Sequence, residues 1–131
     1  MRIIYPYEEE EQKNLYEYCK AMNVEMIHIP NERKCSVVIG KRMKAQGVRS
    51  GFPDNLFPYA RGRYHGLFIE LKRVRGASSR ISPEQKRWQE VLRAQGYACE
   101  VCYGADEAIA CLSEYLNLKE KHDEKRKNDE S

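Results

Sequence analysis

Glu11, Leu15, Tyr18, Cys19 and Met22 recur at steps of three and four, which predicts an amphipathic helix from Glu8 to Met22. Glu8 to Glu11 fill its first turn, where negative charge suits the helix dipole. From Glu25 to Pro30, Met26 and His28 alternate with Ile27 and Ile29, the period of a short strand that Pro30 ends. Asn31 to Gly51 is basic and weakly periodic, with a short helix at Val38 to Ala45 and a turn framed by Gly47 and Gly51. Two further strands, Phe52 to Phe57 and Gly66 to Lys72, flank the basic turn Pro58 to Tyr64 and read as an antiparallel hairpin.

Arg73 to Ile81 reads as a loop. Ser82-Pro83-Glu84-Gln85 then has the chemistry of a helix start: serine at the N-cap, proline at the first position, and Gln85 to close a capping box. Trp88, Val91, Leu92 and Gln95 continue that helix and Gly96 stops it. Tyr97 to Tyr103 follows as a strand. A last helix starts at Gly104 or Asp106, with Ala108, Ile109, Leu112, Tyr115 and Leu116 on one face. Residues 119–131 contain no apolar side chain and read as a charged, disordered tail beyond a folded domain at 1–118. The order α-β-(α)-β-β-α-β-α predicts an α/β fold, a mixed central sheet flanked by helices.

The chain has 131 residues, 41% hydrophobic and 33% charged, the composition of one globular domain. Apolar runs are only a few residues long, as in Gly66-Leu67-Phe68-Ile69, so no membrane span is expected. The N-terminus lacks a secretory apolar core, which makes the cytoplasm the expected compartment. Five cysteines, an odd number, argue against a secreted disulfide framework. Cys99 and Cys102 have redox or zinc spacing, but three residues apart on a strand they point to opposite faces. Structural, reduced thiols are the expectation.

The net charge of +3 conceals a strong asymmetry. Residues 31–80 carry twelve basic and three acidic side chains, or +9, between two flanks of −3 each. Arginines, the better phosphate forks, predominate in that segment. A field of this kind attracts polyanions. Arg33, Lys44, Arg49, Arg73 and Arg75 are the candidate nucleic-acid contacts.

Asp54 and Glu70, two of the three acids in the basic segment, stand in strand-like sequence, where charge is costly unless used. On a strand, Phe68, Glu70 and Lys72 share one face, with neighbours roughly 6.5–7 Å apart. If the Asp54 face of the preceding strand meets that face, two carboxylates and one ammonium converge. Carboxylates so placed resist ionisation, and a hard divalent cation resolves the conflict. A lysine beside them can hold a water aimed at phosphorus, which is metal-assisted hydrolysis. A plain cross-strand salt bridge is the alternative for an isolated E-x-K motif. Pro53 points to a bulge, edge or strand start at Asp54, positions that re-aim side chains at sites.

Pro53-Asp54 followed by Glu70-Leu71-Lys72 resembles the signature of the PD-(D/E)XK nuclease superfamily. The string Lys44 to Asp54, then Gly66 to Arg73, then Ser82-Pro83-Glu84-Gln85, is similar to its VRR-NUC branch. Gly96-Tyr97 and Ala105 to Ile109 also fit, so the likeness covers about residues 8–118. The resemblance implies a restriction-endonuclease-like core. It implies a metal-dependent endonuclease acting on DNA, with Asp54, Glu70 and the carbonyl of Leu71 around Mg²⁺ or Mn²⁺. Lys72 would position the water, and Gln85 matches a glutamine of the family. A further acid is expected on the first helix, Glu8 ahead of Glu11. Small VRR-NUC proteins of this kind are typical of phages and bacteria and resemble junction-resolving enzymes, which implies branched DNA and a homodimer. A non-catalytic nucleic-acid-binding protein on the same fold, or a monomeric flap or duplex nuclease, are the alternatives.

Overall fold

A computed structural model describes residues 7–30, 36–74 and 80–120. Its elements are α1 (Glu8–Ala21), β1 (Ile27–His28), α2 (Val37–Ala45), β2 (Asn55–Phe57), β3 (Leu67–Lys72), α3 (Pro83–Ala94), β4 (Ala98–Tyr103) and α4 (Ala105–Leu116). The four strands form one mixed sheet in the order β1-β2-β3-β4. β1 with β2 and β2 with β3 are antiparallel; β3 with β4 is parallel, joined through α3. The expected α/β order and mixed sheet are those observed.

All six residues of β3 are buried, so both faces of this strand are covered. Leu67, Ile69 and Leu71 pack with Leu15 and Cys19 of α1 and Ala108 and Leu112 of α4. Phe68, on the opposite face, packs with Leu92 of α3 and Cys99 of β4. Cys99 and Cys102 lie in these two different clusters, so their side chains diverge as strand spacing requires. The thiols of Cys19, Cys99, Cys102 and Cys111 are all free. α2 contributes no buried residue.

Local chemistry explains the helix starts. Ser82 Oγ accepts from Gln85 N at 3.1 Å, and Gln85 Oε1 accepts from Ser82 N at 2.9 Å, the reciprocal pair of a capping box. Ser36 caps α2 by accepting from Ile39 N at 3.2 Å. α4 starts at Gly104, which has no side chain to cap it, and its φ of +91° suits glycine. The cap comes from elsewhere: Glu11 Oε2 of α1 accepts from Ala105 N at 3.0 Å. A carboxylate at a helix N-terminus also meets the positive end of the dipole.

Three expected boundaries move. The strand expected over Phe52 to Phe57 begins only at Asn55. Pro53 has no N–H to give a ladder, and Gly51 at φ +84° turns the chain just before it. The strand expected from Glu25 to Pro30 shrinks to Ile27–His28. The tail expected from residue 119 is anchored over its first two residues: Gly62 N donates to the Lys119 carbonyl, and Arg61 pairs with Glu120 at 3.5 Å. Residues 121–131 lie outside the described residues.

Gly51 is a point where the backbone of one element meets another. A Cβ there would stand 2.6 Å from the Glu84 carbonyl carbon and 2.7 Å from Gln85 N, both backbone atoms of α3. Gly51→Ala is therefore expected to lower the melting temperature by more than about 5 °C, through about 1–2 kcal/mol of left-handed strain plus displacement of α3. An unchanged melting temperature by calorimetry would show that α3 does not close on this turn.

Candidate active site

The site forms just before β2 begins, where β3 continues past it. Leu56 pairs with Phe68 and Asn55 with Ile69, so Asp54, one residue further, stands opposite Glu70. The bend at Asp54 turns its carboxylate onto β3, where Oδ1 accepts from Leu71 N at 3.0 Å. Oδ1 also accepts from Asn55 Nδ2 at 3.0 Å. The Asp54 carbonyl accepts from Ile29 N at 2.7 Å and lies 3.0 Å from His28 Nδ1. Asp54 is thus held at its side chain by β3 and at its backbone by the chain leaving β1.

Glu70 and Lys72 lie two apart on β3, each only 3% exposed. Lys72 Nζ is 3.6 Å from Glu70 Oε1. Gln85 Nε2 donates to the same oxygen at 2.9 Å. Gln85 therefore performs both tasks that its position allows: its oxygen closes the α3 capping box and its amide nitrogen holds Glu70.

Burial pushes the Asp54 carboxyl up to about 6, and the charge of Glu8 adds to the rise. The Leu71 amide and His28 pull the other way and are outweighed. Glu8 is exposed at the start of α1, near enough for its charge to act on Asp54. Glu11, the second acid considered on this helix, is committed to capping α4 instead.

Two supporting residues were not singled out by sequence reasoning. Asn55, fully buried, exchanges two hydrogen bonds with Gln12 of α1, at 2.7 and 3.0 Å. Because Asn55 also donates to Asp54, α1 is tied to the carboxylate through a chain of amides. The available signal was an asparagine within an otherwise apolar strand, facing a helix that carries a glutamine.

The predicted nucleic-acid residues distribute unevenly. Arg73, directly after Lys72, places its guanidinium carbon 4.8 Å from the Tyr7 ring centre. Arg49 lies 5.4 Å over Trp88, one turn along α3 from Gln85. Lys44 is exposed near the end of α2. Arg33 and Arg75 lie outside the described residues.

Among the described residues no helix is long and apolar enough to cross a membrane. A comparison with curated proteins returns no match. A solved structure described as a VRR_NUC domain protein superposes with a TM-score of 0.77 at 29% identity, over 90% of this chain and 94% of the other. A second, described as a VRR_NUC domain, gives 0.55 at 23% identity over 82% and 96%, a likeness of fold alone. The VRR-NUC domain family itself matches residues 6–106, a span that contains Asp54, Glu70, Lys72 and Gln85. The chain therefore belongs to the VRR-NUC family, and its α/β body is a nuclease-type domain.

Proposed function

We propose that this protein is a metal-dependent endonuclease that hydrolyses DNA phosphodiester bonds. The observation that carries the reading is the placing of Asp54 opposite Glu70 with Lys72 beside them, all three buried in the most basic part of the chain. Burying such a group is expensive unless a further cation completes it.

The donor set fits a hard divalent ion. Among the described residues no three His, Cys, Asp or Glu side chains converge as a metal cluster. The protein would offer the Asp54 and Glu70 carboxylates and the carbonyl of Leu71, whose amide already meets Asp54. Few protein ligands, all oxygen, suit Mg²⁺ or Mn²⁺, with water and phosphate oxygens filling the remaining positions. When bound, such an ion stabilises charge on the phosphoryl oxygens and lowers the pKa of a bound water.

The chain's own groups do the rest. Gln85 fixes the rotamer of Glu70, and Asn55 with Gln12 fixes Asp54. The Lys72 ammonium positions the attacking water and favours its hydroxide form. Glu8 is the further acid at the mouth of the site. Lys44, Arg49 and Arg73 contact phosphates, Lys as a point charge and Arg as a fork.

The substrate we propose is branched DNA, with a homodimer resolving four-way junctions. One site cuts one strand, so paired cuts need two copies, and a two-fold dimer matches the pseudo-symmetry of a junction. Two tyrosines outside the helical core stripes, Tyr59 and Tyr64, are used within the fold. Tyr59 Oη accepts from Glu25 N at 2.7 Å, and Tyr64 packs on Tyr115 at 6.2 Å between ring centres. Tyr7 and Tyr16 stay exposed, while Tyr5 lies outside the described residues.

Asp54→Asn and Glu70→Gln are expected to abolish cleavage in Mg²⁺ while DNA binding in EDTA persists. Lys72→Ala should slow cleavage by a factor on the order of 10² or more, with only partial rescue by arginine. Full activity in any of the three, measured on labelled duplex, flap and junction DNA, overturns this mechanism and favours a binding protein.

Proton linkage gives a second expectation. The Asp54 carboxyl stands at about 6 in the metal-free fold against a reference value of 3.8. Between those values the folded chain keeps a proton that the unfolded chain has lost, so this group's contribution to stability falls as pH rises from 3.8 to about 6 and then levels. Relative to wild type, metal-free Asp54→Asn should thus be about 1–3 kcal/mol more favourable at pH 8 than near pH 4. Mg²⁺, needing the ionised carboxylate, should raise the wild-type melting temperature at pH 8 and not at pH 5. Identical denaturation profiles at both pH values would contradict this linkage.

For assembly, sedimentation at micromolar concentration is expected to show a dimer, and junctions to receive paired symmetric nicks. A strict monomer with and without DNA, cutting flaps or simple duplex as well as junctions, would leave the monomeric nuclease.

A further inference from the structure

An apolar groove of about 420 Å³ lies beside the candidate active site, walled by Ile29, Met43, Val48, Arg49, Phe52 and Trp88. Its volume is within the range of small-ligand pockets, roughly 300–1,000 Å³. The walls are continuous with the site. Phe52 precedes Asp54 by two residues, and Trp88 follows Gln85 by three, one helical turn. Phe52 meets Trp88 edge-on at 5.2 Å and Phe68 at 5.4 Å, and Phe68 precedes Glu70 by two.

The Trp88 ring is fixed by its Nε1, which donates to the Ser50 carbonyl at 3.1 Å. Two guanidiniums approach the same ring, Arg49 at 5.4 Å and Arg87 at 5.1 Å from its centre. A ring held by that hydrogen bond, on the wall of an apolar groove and with two guanidiniums close to it, has a specific complement: a planar aromatic group attached to an anionic backbone. An apolar peptide side chain would make no use of the paired arginines. A base inside a duplex has both faces stacked and cannot enter, so the occupant must be unpaired.

We propose that this groove takes one unpaired nucleobase of the substrate strand, so that the enzyme engages DNA where pairing is broken, next to the phosphate that is cut. The inference rests on the nuclease reading above and specifies what that site selects. Trp88 and Phe52 supply the stacking surface. Arg49 holds the adjoining phosphate, and the short path from Trp88 through Gln85 to Glu70 places the neighbouring linkage at the carboxylates.

Trp88 is the only tryptophan in the chain, so its emission reports on the groove directly. The full chain in EDTA is titrated with a fluorescein-labelled duplex bearing a single-stranded tail, the same tail made abasic, a blunt duplex, and heparin. Anisotropy confirms binding of each DNA. The tailed duplex is expected to quench Trp88 emission by roughly half or more, as base–indole stacking does, and the other three to leave it nearly unchanged. Trp88→Leu should reduce the preference for tailed over blunt duplex by on the order of tenfold, the worth of one stacked base. Val48→Phe, which narrows the groove and keeps the fluorophore, should abolish the quench while the emission maximum of the free protein stays where it was.

Equal quenching by the abasic tail or by heparin would mean that the ring senses charge alone, and overturns the base pocket. So would bound, tailed DNA that leaves the emission unchanged. If that DNA is then cut on adding Mg²⁺, the pocket fails and the nuclease stands. If no DNA is bound or cut, the nuclease reading fails with it.

Discussion

The constraint on which this molecule depends is the burial of three charges at one end of β3. Asp54, Glu70 and Lys72 are each less than a tenth exposed, in a sheet whose two faces are packed mainly by apolar side chains. Charges moved out of water cost several kcal/mol each unless neighbours compensate. The compensation here is local and directional. The Leu71 amide and Asn55 serve Asp54, while Gln85 and Lys72 serve Glu70. It is also incomplete, because the Asp54 carboxyl still rises to about 6. That deficit is what the proposed cation would relieve, and it links stability to the proposed chemistry.

The surrounding elements follow from that need. β2 begins only at Asn55, so the Leu71 amide, beyond the antiparallel ladder, is taken by the Asp54 carboxylate. α3 is set so that one residue, Gln85, both starts the helix and holds Glu70; Gly51 lets the chain pass against that start without a Cβ. α1 contributes polar groups on its inner face as well as Leu15 and Cys19. Glu11 caps α4 and Gln12 pairs with Asn55. Helix α1 thus fastens the last helix of the fold and the second strand by hydrogen bonds, which fix orientation more narrowly than apolar packing does.

On the same face of β3 as Glu70, the aromatic series Phe68–Phe52–Trp88 converts the core into a surface. Arg49 carries the basic field of residues 31–80 to that surface, and Arg87 of α3 joins it on the Trp88 ring. The proposed phosphate site and the proposed base groove thereby share their supporting elements.

Periodicity, caps and breakers in the sequence determined the helices and the strands, because each of these is set by residues within a few positions of one another. The alternation along β3 alone places Glu70 with Lys72, and Ser82-Pro83-Glu84-Gln85 alone starts α3. What depends on distant residues was decided only by the tertiary structure. Four consecutive glutamates look alike on one helix; the approach of α4, 94 residues away along the chain, committed Glu11 to a cap and left Glu8 beside Asp54. Asn55 and Gln12 are 43 residues apart and became partners only when α1 settled on the sheet. The bond from the Leu71 amide to the Asp54 carboxylate, 17 residues apart, is likewise a long-range contact that no local pattern encodes.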